Sequence, residues 1–269
     1  MSILHRLRNR LQRDVKAMEL SARRALGCGE MVCDYGWVRL PYSGDGDVQE
    51  VIYHLNCQAW YEKERSLLSP YVRQGDTVID VGANVGFMAA LFCELVGDRG
   101  QVYAFEPSPH VFRKLERVIS LNGLWSVEAV NAGCGSEAAA GTLYRIGASS
   151  GNASLVPPEI ALWNSMYEQV DLVRLDDFLL AREETVDFLK IDTEGYESAV
   201  LEGAREVLER DHPTLYIELS QEYRSSSRDS VCFLRALGYE FVTEPDLSRA
   251  HNGDNFVVTH PLYSRAQVT

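Results

Sequence analysis

The sequence has no apolar run long enough to cross a bilayer. Its longest uncharged apolar stretch, Val81 to Cys93, falls well short of a membrane span. It is also poor in basic charge, with 26 Lys and Arg against 39 Asp and Glu and a formal net charge of −13. Binding to a nucleic-acid backbone needs clustered cations, so nucleic acid is excluded as the expected partner. Cysteine is sparse and scattered at Cys28, Cys33, Cys57, Cys93, Cys134 and Cys232, with no C-x-x-C pair and no His at zinc-ligand spacing. That excludes a disulfide or zinc framework and points to reduced thiols in a cytoplasmic protein. The N-terminus has charges but no apolar h-region, so no secretory signal is expected. What remains is ordinary globular material: 269 residues, 46% hydrophobic and 24% charged, enough for one sizeable core or two small ones.

Charge is uneven along the chain. Residues 1–26 hold seven basic residues against Asp14 and Glu19. Leu4, Leu7, Leu11, Val15 and Met18 recur at spacings of three and four, which predicts a basic amphipathic helix over 2–26. Such a helix packs on the domain or on a second copy, giving a homo-oligomer, or lies on a membrane surface. Short β-like runs at 37–40 and 51–55 around the Gly44-Asp45-Gly46 turn predict a hairpin. The expected division is an N-terminal helix and hairpin over 1–56 and a main domain over 57–269.

From Asp76 the pattern alternates. Strands are expected at 77–82, 101–106, 127–132, 186–192 and 214–220, with helices at 85–97, 109–122, 196–209 and 228–237. The stretch after 132 is rich in Gly, Ser and Pro and reads as loop with one added strand. "VDLVRLDDFL" reads as a strand followed by Asp176 as a helix N-cap. Two last strands, 239–243 and 255–259, are closely linked, so the final one is expected to run antiparallel. Alternating strands and helices imply an α/β, Rossmann-like, mostly parallel sheet covered on both faces. Ligands of such sheets lie beyond the carboxyl ends of the strands.

"DTVIDVGANVGFMAALF" (76–92) places a glycine turn between a buried strand and a helix. The dinucleotide pattern G-x-G-x-x-G fails here, because Asn84 and Phe87 stand at its second and third glycines. A P-loop fails too, since no Gly-Lys-Ser/Thr follows. Asp80 precedes the turn, where its carboxylate could accept an ammonium; alternatively it is a buried acid satisfied by loop amides. Glu106 ends the next strand, where a carboxylate can take both hydroxyls of a ribose; alternatively it is a helix N-terminal charge. Ammonium plus ribose without pyrophosphate describes S-adenosylmethionine.

Together and in order, "DVGANVG", "AFEP", "VRLDDFL" and "LKIDTEGYE", with "WYEKE" at 60–64 upstream, resemble the FkbM family of S-adenosylmethionine-dependent methyltransferases over roughly residues 50–260. The resemblance implies a class I methyltransferase fold with a seven-stranded sheet. It also implies transfer of a methyl group, usually to a hydroxyl oxygen of a sugar or polyketide-type natural product. Carried over by position, Asp80, Gly82, Asn84 and Gly86 would line the methionine end, with Ala83 and Pro107 beside the cofactor. Glu106 would bind the ribose. Asn131, Ala132 and Gly133 would border the adenine, and Tyr61 and Glu62 would close over the cofactor or merely pack the entry segment.

An alcohol must lose its proton as it attacks a methyl group. Asp192, Glu194 and Glu218 lie at the crevice ends of two strands, and His251 lies in a loop facing the same crevice. Helix capping by Thr193, Glu194 and Glu197 is the competing reading of that segment. Asp192 would orient the hydroxyl, accept its proton with a raised pKa, or hold a divalent cation such as Mg with Glu218. The metal-free role is preferred because no dense carboxylate cluster accompanies Asp192 in the sequence. Residues 149–154 and 163–168 could contact the acceptor, with Trp163 and Tyr167 stacking on a sugar face. An N- or C-methyltransferase of the same fold and a non-catalytic cofactor-binding scaffold are the rival functions.

Overall fold

The computed structural model describes residues 31–42, 48–146, 150–157, 165–182, 184–220, 222–246 and 254–262. The expected helix over 2–26, the turn at 44–46, Trp163 and His251 lie outside the described residues.

Strands β1 (Met31–Asp34) and β2 (Arg39–Tyr42) form an antiparallel hairpin. Its turn is at 35–38, where Gly36 adopts φ +87° and its N–H donates to Asp34 Oδ1. The hairpin is therefore real but lies earlier than the sequence suggested. Residues 51–55, read as its second strand, belong instead to helix α1 (Val48–Leu68). Val51, Ile52 and Tyr53 favour strand locally. The helix prevails because His54, Cys57, Trp60, Glu64 and Leu68 recur on one inward face at helical spacing. The expected 56/57 division falls inside this helix.

The main sheet has seven strands: β3 (Thr77–Val81), β4 (Gln101–Phe105), β5 (Val127–Val130), β10 (Phe188–Ile191), β11 (Thr214–Leu219), β12 (Glu240–Phe241) and β13 (Asp254–Thr259). Their order is β12-β13-β11-β10-β3-β4-β5, and β13 is antiparallel to both of its neighbours, as expected for the last strand. This is the class I methyltransferase arrangement. The strands are short apolar runs because both faces are covered. Ile79, Val81, Phe105, Leu189, Ile191 and Ile217 pack on one side; Val78, Val102, Phe188 and Tyr216 meet Leu91, Phe92 and Val96 on the other.

The helices are α2 (Phe87–Val96), α3 (Pro109–Asn122), α4 (Leu175–Leu180), α5 (Glu197–Gly203), α6 (Arg205–Asp211) and α7 (Arg224–Ala236). The single helix expected over 196–209 is two, broken at Ala204. Asp176 explains the break. It does not cap its own helix, whose N-cap is Arg174; its buried carboxylate accepts the N–H groups of Glu206 (3.2 Å) and Val207 (3.0 Å) and so caps α6.

The stretch after 132 holds a second sheet rather than one added strand. It comprises β6 (Gly133–Cys134), β7 (Ala139–Ile146), β8 (Ala153–Ser154) and β9 (Ser165–Val173) in the order β6-β9-β7-β8. The pairing of β7 with β9 runs from Ala139↔Leu172 to Ile146↔Ser165. Pairing between such distant residues leaves little local trace in a Gly- and Ala-rich strand.

Candidate active site

The chain leaves β3 towards β4 and β5 in one direction and, from β10, builds towards β11 in the other. The crevice beyond β3 and β10 is therefore the topological switch point, where open α/β sheets bind ligands. A cavity of about 450 Å³ opens there. Its walls come from the loops after β3, β4 and β10, from Tyr216 and Glu218 on β11, from the second sheet, from Asn255 at the start of β13, and from α1.

The glycine turn forms one wall. Gly82 has φ +78°, and a Cβ there would stand 1.9 Å from the Asp192 carbonyl oxygen, so only glycine fits. The N–H groups of Gly82 and Ala83 both donate to the Phe105 carbonyl, at 3.1 and 2.9 Å. Asn84 follows in the left-handed region, φ +50°, and its side chain accepts the Val85 N–H. Gly86, φ +91°, does not line the cavity; a Cβ there would stand 2.7 Å from Leu115, so this glycine serves helix packing.

Glu106 is buried, yet it lines the cavity. Its two carboxylate oxygens accept the N–H groups of Asn84 (3.0 Å) and Ser108 (2.9 Å). Burial outweighs these donors and raises its pKa to about 7. Pro107 lines the cavity beside it.

The acidic wall follows from the pleat. Residues two apart on a strand share a face, so Phe188, Lys190 and Asp192 form one row and Tyr216 and Glu218 the next, with Lys190 level with Tyr216. Asp192, Glu194 and Glu218 converge, one carboxylate oxygen from each lying within 4.8 Å of the others. This corrects the expectation that Asp192 lacks a carboxylate cluster. Burial and the neighbouring Asp192 and Glu194 charges push the Glu218 carboxyl well above the usual range. Glu194, at φ +53°, has its pKa raised to about 8 by burial and the charges of Asp192 and Glu197.

No side chain caps α5, whose N-cap is Tyr196; Glu197 instead braces the preceding turn, its Oε1 accepting the Thr193 N–H and hydroxyl and the Gly195 N–H. Asp192 and Glu194 are thereby left to face the cavity.

Several expected positions fall elsewhere. Asp80 is fully buried beneath the cavity floor, 3.2 Å from the ammonium of Lys190, so its carboxylate faces that lysine rather than the cavity. Asn131 is exposed and its amide bonds the Glu106 and Pro107 carbonyls, and Ala132 is buried; of the three positions expected there only Gly133 lines the wall, together with Cys134. Glu62 turns to solvent, and Tyr61 stacks on Trp37 and donates to Glu94. The residues of α1 that reach the cavity are Trp60, Lys63 and Glu64, because the helical period places those three on one side. Tyr167 is exposed on β9 and does not line the cavity. Lys190 was missed. Its signal was a lysine inside an apolar strand run, which demands a buried partner.

The family model of the methyltransferase FkbM domain matches residues 80–241, more than half of the chain and all the loops just described except those of α1 and β13. The chain belongs to the FkbM methyltransferase family. Its sequence is 32% identical over 143 residues to Methyltransferase 1 of Beauveria bassiana (strain ARSEF 2860), covering 47% of this chain and 57% of that protein. It is 32% identical over 162 residues to Methyltransferase sdnD of Sordaria araneosa, covering 48% of this chain and 60% of that one. The chain thus spans less than two thirds of these curated relatives' length. The solved structure of methyltransferase FkbM from Methylobacillus flagellatus KT aligns over 78% of this chain and 52% of its own, with 18% identity and a TM-score of 0.48. No helix among the described residues of this FkbM-family chain is long and apolar enough to cross a membrane.

Proposed function

We propose that this protein is an S-adenosylmethionine-dependent methyltransferase that methylates a hydroxyl of a sugar or natural-product-type small molecule. The observation that carries the reading is the meeting, in one cavity at the switch point, of the glycine turn, the buried Glu106 and the Asp192–Glu218 pair.

The residues present suit that cofactor. Each oxygen of Glu106 spends one lone pair on a backbone N–H, which leaves acceptor capacity for both hydroxyls of a ribose. Gly82 to Asn84 offer open backbone without the glycines a pyrophosphate needs. Gly133, Cys134 and Leu155 give a flat apolar wall for adenine. Acidic side chains near a sulfonium complement its positive charge. When bound, S-adenosylmethionine supplies a methyl group on a good leaving group.

The protein's remaining work is alignment, exclusion of water and handling of one proton. Trp60, Phe87, Met88 and Phe105 keep the cavity apolar around the reacting centre. Asp192, beside a protonated Glu218, orients the acceptor hydroxyl and takes its proton. This favours oxygen over nitrogen as the acceptor, since an alcohol needs a proton acceptor during attack. The Lys190 ammonium, 3.6 Å from Asp192, already offsets part of the acidic charge, which supports the metal-free role. The convergence of three carboxylates is what would favour a divalent cation instead.

The test is to incubate purified protein with methyl-labelled S-adenosylmethionine and fractionated small-molecule extract. Label in an ether-linked product is expected. Label on nitrogen or carbon would replace the O-methyl reading, and donor binding with no transfer in any fraction would leave a cofactor-binding scaffold.

A further inference from the structure

Lys190 is 2% exposed, sits on β10 directly across from Asp80 on β3, and precedes Asp192 by two residues. A lysine is almost never buried so deeply without partners, and Asp80 alone would neutralise it. Its ammonium does more. It donates to the Gly82 carbonyl at 2.8 Å and to the Val81 carbonyl at 3.3 Å, lies 3.2 Å from Asp80 Oδ1, and stands 3.6 Å from Asp192 Oδ2.

The two carbonyls belong to consecutive peptides. The N–H groups of those same peptides, on Gly82 and Ala83, both donate to the Phe105 carbonyl. The first two peptide planes of the glycine turn are thus held at both ends, by Lys190 on one side and β4 on the other. The fourth contact reaches the carboxylate across the switch point.

We propose that Lys190 is a positioning residue: its ammonium holds the peptide planes of the glycine turn and the Asp192 carboxylate in one arrangement, and so sets how the cofactor loop faces the acid that handles the acceptor proton. The effect on the turn stands on the geometry alone; its consequence for binding rests on the S-adenosylmethionine reading above. A lysine that merely neutralised Asp80 would make a different prediction. Removing one partner of a buried pair is strongly destabilising, whereas replacing both by neutral groups of similar shape is tolerated.

The experiment is therefore the double variant Lys190→Met/Asp80→Asn, compared with wild type in thermal melting, hydrogen exchange of the peptide spanning the glycine turn, and calorimetric binding of S-adenosylhomocysteine. Positioning by Lys190 predicts a melting temperature close to wild type, with turn amides exchanging at least tenfold faster and affinity at least tenfold lower. Wild-type exchange and wild-type affinity in the folded double variant would overturn it. If the double variant does not fold, Lys190→Gln, which keeps a donor but not the ammonium, is read in the same assays. It leaves Asp80 without its counter-charge, so a lower melting temperature is expected, and turn amides exchanging at least tenfold faster with affinity at least tenfold lower remain the expectation for positioning. If wild type itself does not bind S-adenosylhomocysteine, the cofactor reading fails, and the exchange rate of the ligand-free turn alone decides the role of Lys190.

Discussion

Glu218 and Asp192 lie side by side at the carboxyl ends of adjacent parallel strands, with a carboxylate oxygen of each within 4.8 Å of the other. Burial and the neighbouring carboxylates favour a proton on Glu218, and the proposed mechanism assigns the acceptor role to Asp192. Asp192→Asn keeps size and hydrogen bonding but removes that acceptor. Turnover should fall by roughly 10²-fold or more, the scale of general acid–base contributions, with cofactor affinity changed far less. Wild-type turnover in Asp192→Asn would remove it from the chemistry. His251, which lies outside the described residues, would then be the next candidate to test.

The metal-free role makes a separate prediction. Treatment with a chelator should leave the rate of methyl transfer intact. Loss of turnover on chelation with recovery on adding magnesium would assign the convergence of Asp192, Glu194 and Glu218 to a cation instead.

Glu106 should matter for binding and give it a pH dependence. Glu106→Ala is expected to weaken S-adenosylhomocysteine by about 1–3 kcal/mol, the cost of losing a charged hydrogen-bonding partner. Because burial raises its pKa to about 7, the ribose-accepting carboxylate forms only as pH rises through that value. Affinity in wild type should therefore increase from pH 5.5 to pH 8, and the increase should be missing in Glu106→Ala. A flat wild-type profile by calorimetry would contradict this.

The same shifts govern the stability of the ligand-free protein in the opposite sense. Glu106 and Glu194 have folded pKa values of about 7 and about 8, above an ordinary 4.5, so the folded state binds their protons more tightly than the unfolded state. The stability they contribute is complete below pH 4.5 and is lost as pH rises through 7 and 8. Melting temperature should drop between pH 5.5 and pH 8.5, and Glu194→Gln should flatten the drop. An equally steep drop in Glu194→Gln would show that Glu194 is not its source.

Gly82→Ala should be severe. The left-handed φ of +78° costs an L-residue about 1–3 kcal/mol, and the added methyl would meet the Asp192 carbonyl at 1.9 Å. A lower melting temperature with loss of cofactor binding is expected. Retention of both would mean that the turn and β10 can separate freely.

The parallel strands of the main sheet are legible because doubly covered strands are mostly apolar runs between turn signals; "TVIDV" and "FLKI" are apolar but for Asp80 and Lys190, which pair with each other. Helix α3 was read with its bounds, Pro at its start and Gly123 just beyond its end marking both termini. The second sheet was not legible, since β7 and β9 find each other across some twenty residues of loop chemistry. Asp80 looked like a cavity residue because sequence shows its place before the turn but not the lysine across from it. The resemblance points to Tyr61 and Glu62 but does not say which face of the segment turns inward; the period of α1 brings Trp60, Lys63 and Glu64 to the cavity. Asp176 was recognised as a cap, but of the wrong helix, since its partners lie thirty residues on.

The central claim is that the cavity at the switch point takes S-adenosylmethionine, and its most direct test is isothermal calorimetry of the wild-type protein with S-adenosylhomocysteine and, in parallel, with NAD. Saturable binding of S-adenosylhomocysteine at one site per chain, weakened in Glu106→Ala, with no heat from NAD, is the predicted result. Tight binding of NAD with no response to S-adenosylhomocysteine would contradict the account, because Asn84 and Phe87 stand where a pyrophosphate needs glycines.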